Sequence, residues 1–352
     1  MFIGGGTPLA IGVPLLVELL SSLVEVFPDL RATAEEITVE ATPDGVLAAA
    51  EQMGDLVSAG VDRVSIGVQS LDPEELKRAG RASASPEAIL KSLEVLRASG
   101  VTNIGTDLII GLEGQSDATL NSSLDKLLEF RPETVSLYLI NPRGGTALGR
   151  KLASSPSING RSLYNRLKAA SSKLRDAGYE RETSVQFKLP GRGGLLHKRL
   201  YFEGQSVLGL GSGARSYTSS VAYLSGGGPR RTRSELEGYL QMAATPPWAK
   251  TGVIVTPQES RRRNVVLGLH QLDKGDIPTT PSGRWAEPFA SVFGACLELG
   301  LMNDTGASLC LTEKGFLYRD LICWSLFSPQ ALRRHSTQGT EFNDFQRHVA
   351  MA

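Results

Sequence analysis

The sequence predicts an α/β fold assembled from parallel βα units. Three observations predict it: β-rich runs recur at residues 2–3, 37–40, 63–68, 104–110 and 134–140, stretches of helical spacing lie between them at 15–26, 46–57, 89–96 and 120–130, and each run ends in a polar or glycine-bearing turn. Strands and helices therefore alternate at intervals of roughly 25–40 residues, the rhythm of parallel strands that each need a crossover before the next can pair. An open doubly wound sheet and a closed or partly closed barrel share this rhythm. Both gather functional side chains at the carboxyl ends of their strands, so the polar residues at those ends are the candidates.

The later elements follow in order. A further helix spans residues 162–177, a strand-like stretch runs over 179–187 into a glycine-rich loop, and a second glycine run follows at 208–213. The glycine-rich segment Ser225–Pro229 and the Pro246-Pro247 pair make 218–250 read as a connecting region. From Gln258 the period is helical again, opened by Arg261–Arg263 and closed by Leu311-Thr-Glu-Lys-Gly315 before a last helix. The expected organisation is a domain over 1–217, a connection over 218–250, a small helical or winged domain over 251–328 and a tail over 329–352.

Composition narrows the class. A chain of 352 residues exceeds the usual single-domain size, and Lys plus Arg equals Asp plus Glu at 37 each, so no net field draws it to nucleic acid. Cys296, Cys310 and Cys323 are odd in number and widely spaced, which fits reduced packing thiols in a cytoplasmic protein better than a disulfide framework. The apolar stretch 9–20 carries Glu18 and Pro14, lacks a basic leader and is too short for membrane insertion.

Four strand ends carry the chemistry. Phe2-Ile-Gly4-Gly5-Gly6-Thr7-Pro8 runs a strand into three glycines, where backbone can approach a ligand closely, and Thr7 and Pro8 are placed to cap and open the next helix. Glu40, Gln69 and Asp107 fall at the ends of, or within, the next three strands, offering groups that bind ribose hydroxyls. Arg81 follows Gln69, and a guanidinium suits a carboxylate. Together they suit a zwitterionic nucleoside. Met singly, Glu40 also serves as a cap for the next turn, Gln69 as a loop hydrogen-bonder and Arg81 as a solvated helix-end cation.

The strings FIGGGTP, ITVEATP, GVDRVSIGVQSLDPEELKRAGR, DLIIGLEGQS, VSLYLINPRGGTAL and VLGLGSGARS, in this order over 1–217, resemble the heme-chaperone and oxygen-independent coproporphyrinogen III oxidase-like group of radical S-adenosylmethionine proteins, and LTEKGFLYRD resembles that group's C-terminal domain. The resemblance implies a partial (β/α) barrel with a small mainly helical C-terminal domain and S-adenosyl-L-methionine across the strand ends. Gly4, Gly5, Gly6 and Thr7 would then meet its methionine end, Arg81 its carboxylate, and Glu40, Gln69 and Asp107 the groups around its ribose.

The resemblance also implies a [4Fe–4S] cluster on a CxxxCxxC loop upstream of GGGTP, and here no cysteine precedes Cys296. The expectation is a barrel lacking its first unit, through truncation or as a degenerate homologue, that cannot bind the cluster or generate the radical by itself. Gly80-Arg-Ala-Ser83 and Ile110 with Glu113 are smaller departures from the group's GRxH and DLIYGLP. His197-Lys-Arg-Leu-Tyr201-Phe202 matches the heme chaperones' HNxxYW at His197 and Tyr201, making His197 a candidate heme ligand, with a ligand-free loop histidine equally open. Thr183, Ser184 and Gln186 suit a pocket wall, and Lys188, Arg192, Lys198 and Arg199 either meet tetrapyrrole propionates or form a solvated basic loop. Gly209–Gly213 lacks the crossover helix and acid of a nicotinamide site. Three functions follow: a heme chaperone with a heme-receiving protein as partner, a coproporphyrinogen dehydrogenase-like or methyl-transferring enzyme in full-length form, or a cluster-free binding or scaffold protein.

Overall fold

The structure is a computed structural model and describes residues 1–81, 84–140, 160–183, 185–226, 233–243, 249–270, 277–278, 289–306, 308–329 and 331. The expectations placed on Ala82 and Ser83, on 141–148, on Ser184, on 227–229, on Pro246 and Pro247 and on the tail beyond 331 lie outside these residues. The chain divides into two compact units, one holding Met1–His197 and the other Lys198–His335. The division falls within the helix Leu196–Phe202, upstream of the boundary expected at residue 217.

The first unit is a partial (β/α) barrel. Strands β1 (Phe2–Ile3), β2 (Thr38–Ala41), β3 (Arg63–Gln69), β4 (Asn103–Ile110) and β5 (Thr134–Leu139) lie parallel in chain order, and β6 (Glu180–Arg181) and β7 (Gln186–Lys188) add antiparallel beyond β5 in the order β5-β7-β6. Helices start where the sequence provides caps. Thr42, Asp72 and Ser85 each accept a backbone N–H of the following first turn, each has proline next, and Ser116 with Thr119 forms a capping box. The single helix expected over 46–57 is two, Pro43–Ala48 and Met53–Ser58, joined by a 3-10 turn at Ala50–Gln52. Val46, Met53 and Leu56 all remain buried, so the break preserves the apolar face.

The two faces of the sheet differ in chemistry. Val39, Val64, Ile66, Val68, Ile104, Leu108, Val135 and Leu137 point to the helices and pack with Leu16, Leu20, Ile89, Leu93, Leu124 and Leu127 in one core. Each such side chain stabilises the unit by about 1.5–3 kcal/mol. The alternate positions, paired in register across the sheet, are Glu40, Ser65, Gly105 and Thr134 in one row and Gly67, Asp107 and Ser136 in the next. That face is polar, and it is the lumen side of the barrel.

One lumen side chain is a fully buried cation. Arg63 is 1% exposed and crosses Gly105 to donate from Nη2 to Thr134 Oγ1 at 3.2 Å. A methyl group on Gly105 would stand 2.3 Å from that Nη2 and 2.8 Å from Thr134 Oγ1, so only glycine leaves the path open. Desolvation lowers the Arg63 pKa, opposed by Glu36, Asp107, Tyr138 and Glu182 around it.

The glycine-rich loop after β7 closes the opposite end from the candidate residues. Asn103 Nδ2 at the start of β4 donates to Gly193 O at 3.0 Å and Gly194 O at 3.1 Å, and Leu196 N donates to Glu36 Oε2 at 3.0 Å just ahead of β2. The loop therefore crosses the amino ends of the strands. Lys188 there pairs with Glu182 at 3.6 Å.

In the second unit, β8 (Arg215–Tyr217), β9 (Val221–Ser225) and β10 (Ala249–Ile254) form one antiparallel sheet, and β11 (Ile277–Pro278), β12 (Met302–Asp304) and β13 (Ser308–Leu311) form another in the order β11-β13-β12. β9 and the helix Arg233–Ala243 occupy part of the expected connection. The short run Val221-Ala-Tyr-Leu-Ser225 is β-rich, but the serines and glycines around it mask the signal. The helices Pro257–Gly268, Phe289–Glu298 and Glu313–Leu326 pack Val266, Phe293, Cys296, Ile322, Cys323 and Leu326 into a separate core.

Two measurements check these accounts. Gly105→Ala is expected to lower stability by about 1–3 kcal/mol in chemical denaturation, because Arg63 and Thr134 must give way. Gly54→Ala, with open space at the helical Gly54, is expected to be neutral or slightly stabilising. Equal behaviour of the two variants would refute the crossing. The second concerns His270, whose ring stacks on Phe202 at 4.8 Å. Burial pushes its imidazole from 6.5 down to about 3, reinforced by Arg319 and Lys198 and opposed by Asp320. The unfolded chain takes up this proton first, so its contribution to stability is lost as pH falls from 6.5 towards 3. Between pH 7 and 4.5 the wild type is expected to lose about 2–3 kcal/mol more than His270→Phe. Parallel pH profiles would contradict this.

Candidate functional site

Gly4 to Gly6, Glu40 and Gln69 lie at the carboxyl ends of β1 to β3, and Asp107 lies within β4. Gly5 and Gly6 hold φ of +91° and +107°, a conformation that side-chain-bearing residues rarely adopt. Gly5 N donates to Glu40 Oε2 at 3.1 Å, and a methyl group on Gly4 would fall 2.5 Å from the same oxygen. The glycines thus admit the Glu40 carboxylate beneath an exposed turn. Thr7 is exposed at the N-cap of the 3-10 turn Pro8–Ile11, but its side chain makes no capping bond; its carbonyl accepts from Ala10 N at 2.9 Å. The expectation that Thr7 caps is corrected here. The turn is closed by its backbone, and the side-chain hydroxyl stays on the exposed edge.

Glu40 is not the cap of the turn after β2, since Thr42 fills that role, and Asp72, not Gln69, caps the helix Pro73–Arg78. The capping alternative for Glu40 thus falls to Thr42. Gln69 has φ +67°, unusual for a residue with a side chain, and Ser70 N donates across it to Val68 O at 2.8 Å, closing a γ-turn. This turn folds the Gln69 amide back over Gly67, where an added methyl group would meet Nε2 at 2.7 Å. Gly67 is the register partner of Asp107. Gln69 and Asp107 therefore share one patch of the lumen face. Arg81 follows Gly80, whose φ is +74°, with its backbone N bonded to Leu76 O at 2.9 Å. It stands half-buried past the end of the helix Pro73–Arg78.

Sequence reasoning missed Tyr138. It lies on the lumen face of β5, two residues after Ser136, and its phenol is pushed up to about 12 by burial first and by Asp107 next, with Glu40 adding to the shift and Ser136 and Arg63 opposing it. The period-2 pattern of Thr134-Val-Ser-Leu-Tyr138 was the available signal.

His197 is not brought to this edge. His197 stacks on Phe2 at 4.9 Å and 18°, and its backbone N donates to Glu36 Oε1 at 3.4 Å at the amino ends of the strands. Tyr201 belongs to the second unit, where its ring meets Phe202 at 5.8 Å and Tyr217 at 5.5 Å. Thr183 and Gln186 are buried in the first unit, Thr183 Oγ1 accepting from Gln186 N at 3.1 Å, so they form a turn and not an open wall.

A [4Fe–4S] cluster requires thiolate ligands, and the residues of this chain do not fit one. Cys296 and Cys323 are buried in the core of the second unit, burial pushes the Cys323 thiol up to about 12, and among the described residues no group of three or more His, Cys, Asp or Glu is arranged to hold a metal ion. Also among the described residues, no helix is long and apolar enough to cross a membrane.

A partial barrel of this kind carries its functional side chains at the carboxyl edge of its strands. The family model described as Radical SAM superfamily matches residues 1–127. A heme chaperone HemW from Lactococcus lactis is 31% identical over 325 residues, covering 90% of this chain and 81% of that protein. The heme chaperone HemW of Mycobacterium tuberculosis is 28% identical over 330 residues, covering 93% and 80%. The solved coproporphyrinogen III oxidase of Escherichia coli, described as a radical SAM enzyme, shares the fold with a TM-score of 0.73 at 20% identity, covering 92% of this chain and 76% of that one. The chain belongs to the radical S-adenosylmethionine superfamily, in the group of the HemW heme chaperones.

Tyr138 supplies a direct check of the lumen electrostatics. At pH 11 the folded wild type and Tyr138→Phe are expected to show the same tyrosinate absorbance, because this phenol stays protonated until about 12. A deficit of one ionised tyrosine in the variant at pH 11 would contradict its burial beside Asp107.

Proposed function

We propose that this chain binds S-adenosylmethionine across the carboxyl edge of its barrel and acts in heme handling as a binding protein. The observation that carries the ligand reading is the Gln69 amide turned over Gly67 beside Asp107, on the same lumen face as Glu40, which meets the Gly4–Gly6 turn. Gln69 and Asp107 hold the ribose hydroxyls, Gly4 to Gly6 accommodate the methionine end with Thr7 at their rim, and Arg81 takes the carboxylate. S-adenosylmethionine supplies an activated sulfonium, and its reductive cleavage needs an electron source that the cysteines of this chain do not hold. The chain's own contribution is therefore to bind and orient.

Relatedness to the HemW chaperones over nine-tenths of the chain supports heme as the cargo and a heme-receiving protein as the partner, with His197 as the ligand to test. Its stacking on Phe2 means that iron ligation there displaces an existing ring contact.

Two titrations of the full chain test this. S-adenosylmethionine binding, followed by calorimetry, is expected to weaken about tenfold in Asp107→Asn and in Gly67→Ala, which pushes the Gln69 amide aside. Wild-type affinity in both would overturn the assignment. Heme added to the wild type is expected to give a shifted Soret band that His197→Ala loses; identical bands would remove His197 from the heme account.

A further inference from the structure

The structure assigns Glu75 as a positioning residue: a buried carboxylate that touches no ligand itself and locks the strained turn carrying Gln69 to the turn that ends β4. This rests on the S-adenosylmethionine reading for its consequence, though not for its geometry.

Glu75 lies inside the helix Pro73–Arg78, between Gln69 and Arg81 in the chain, and is 1% exposed. A carboxylate so buried needs donors, and it has three. Ser70 Oγ donates to Oε2 at 2.7 Å, Gln115 Nε2 donates to Oε2 at 3.1 Å, and Thr119 Oγ1 donates to Oε1. Each donor belongs to a different piece of backbone. Ser70 is the residue immediately after Gln69, and its Oγ also accepts from Asp72 N at 3.0 Å. Gln115 donates from the same Nε2 to Ile109 O at 3.0 Å and accepts from Gly111 N at 2.7 Å, so it spans the end of β4 just beyond Asp107. Thr119 sits in the capping box of the helix Asp117–Phe130.

The network helps to hold a strained conformation at Gln69. A non-glycine residue held at φ +67° costs on the order of 1–3 kcal/mol and persists only where its surroundings over-determine it. Around Gln69 they do: Ser70 N is tied to Val68 O at 2.8 Å, Ser70 Oγ to Glu75, and Leu71 N to Ser123 Oγ at 3.0 Å. Remove the carboxylate and Ser70 loses its acceptor, the γ-turn relaxes, and the Gln69 amide leaves its place over Gly67. Glutamine is a poor substitute, because its single acceptor oxygen cannot replace the two carboxylate oxygens that Ser70, Gln115 and Thr119 share.

The test uses the full chain with Glu75→Gln, and Ser70→Ala as a milder second variant should Glu75→Gln fail to fold. Calorimetry with S-adenosylmethionine is expected to show about tenfold weaker binding in Glu75→Gln, and less than about twofold further loss when Glu75→Gln is added to Gln69→Ala, since the amide it positions is already gone. A merely structural Glu75 would give the same loss in both backgrounds, and that result would overturn the proposal. So would wild-type affinity in folded Glu75→Gln. Amide hydrogen exchange on the ligand-free proteins is the companion measurement, with faster exchange expected at both 68–72 and 109–115. Should the wild type fail to bind S-adenosylmethionine, the functional reading falls on its own, and unchanged exchange at either turn would then refute the lock.

Discussion

The structure depends on one steric constraint, that three long polar side chains of the lumen face each occupy space that a Cβ on a neighbouring residue would fill. Three glycines meet it. Gly4 admits the Glu40 carboxylate, Gly67 admits the Gln69 amide, and Gly105 admits the Arg63 guanidinium, each at distances where a methyl group would overlap the polar atoms. Successive side chains on one strand face stand only about 7 Å apart, so without these gaps the three groups would compete for one layer. The apolar face tolerates no such mixture and packs as an ordinary helix-covered core.

Two ends of the barrel then take different work. The amino ends are sealed by the Gly193–Gly194 loop on Asn103 and by Glu36, which accepts from Leu196 and His197. The carboxyl ends are shaped by the Gly5–Gly6 pair, whose positive φ glycine adopts freely, and by the γ-turn at Gln69, whose strain is offset by hydrogen bonds behind the edge, not on it. A rigid support behind an exposed edge leaves ligand groups pre-organised, so binding spends little on ordering them.

Much of this was legible in the sequence. The strand–helix rhythm located β1 to β5, and the polar residues at their ends marked Glu40, Gln69 and Asp107. The rhythm left a doubly wound sheet and a barrel both open, while the polar face shows in the alternation Thr38-Val-Glu-Ala41 and Arg63-Val-Ser-Ile-Gly67. A sheet covered by helices on both faces would read as apolar throughout, and one with a polar lumen alternates. The γ-turn at Gln69 was hidden because a non-glycine positive φ leaves no compositional trace. Glu75 was hidden because two of its three donors, Gln115 and Thr119, lie some forty residues away along the chain, and the floor loop because its contacts with Glu36 span 160 residues or more. The β9 strand was masked by flanking serine and glycine. Those features are set by tertiary contacts that local pattern does not encode.

The central claim is that the carboxyl edge, and not the sealed floor, receives the ligand. A crystal structure of the full chain with S-adenosylmethionine tests it most directly. The account predicts the ribose within hydrogen-bond reach of Gln69 and Asp107 and the methionine end against Gly4 to Gly6. Ligand bound instead beside Phe2, Glu36 and His197 at the amino ends of the strands would contradict it.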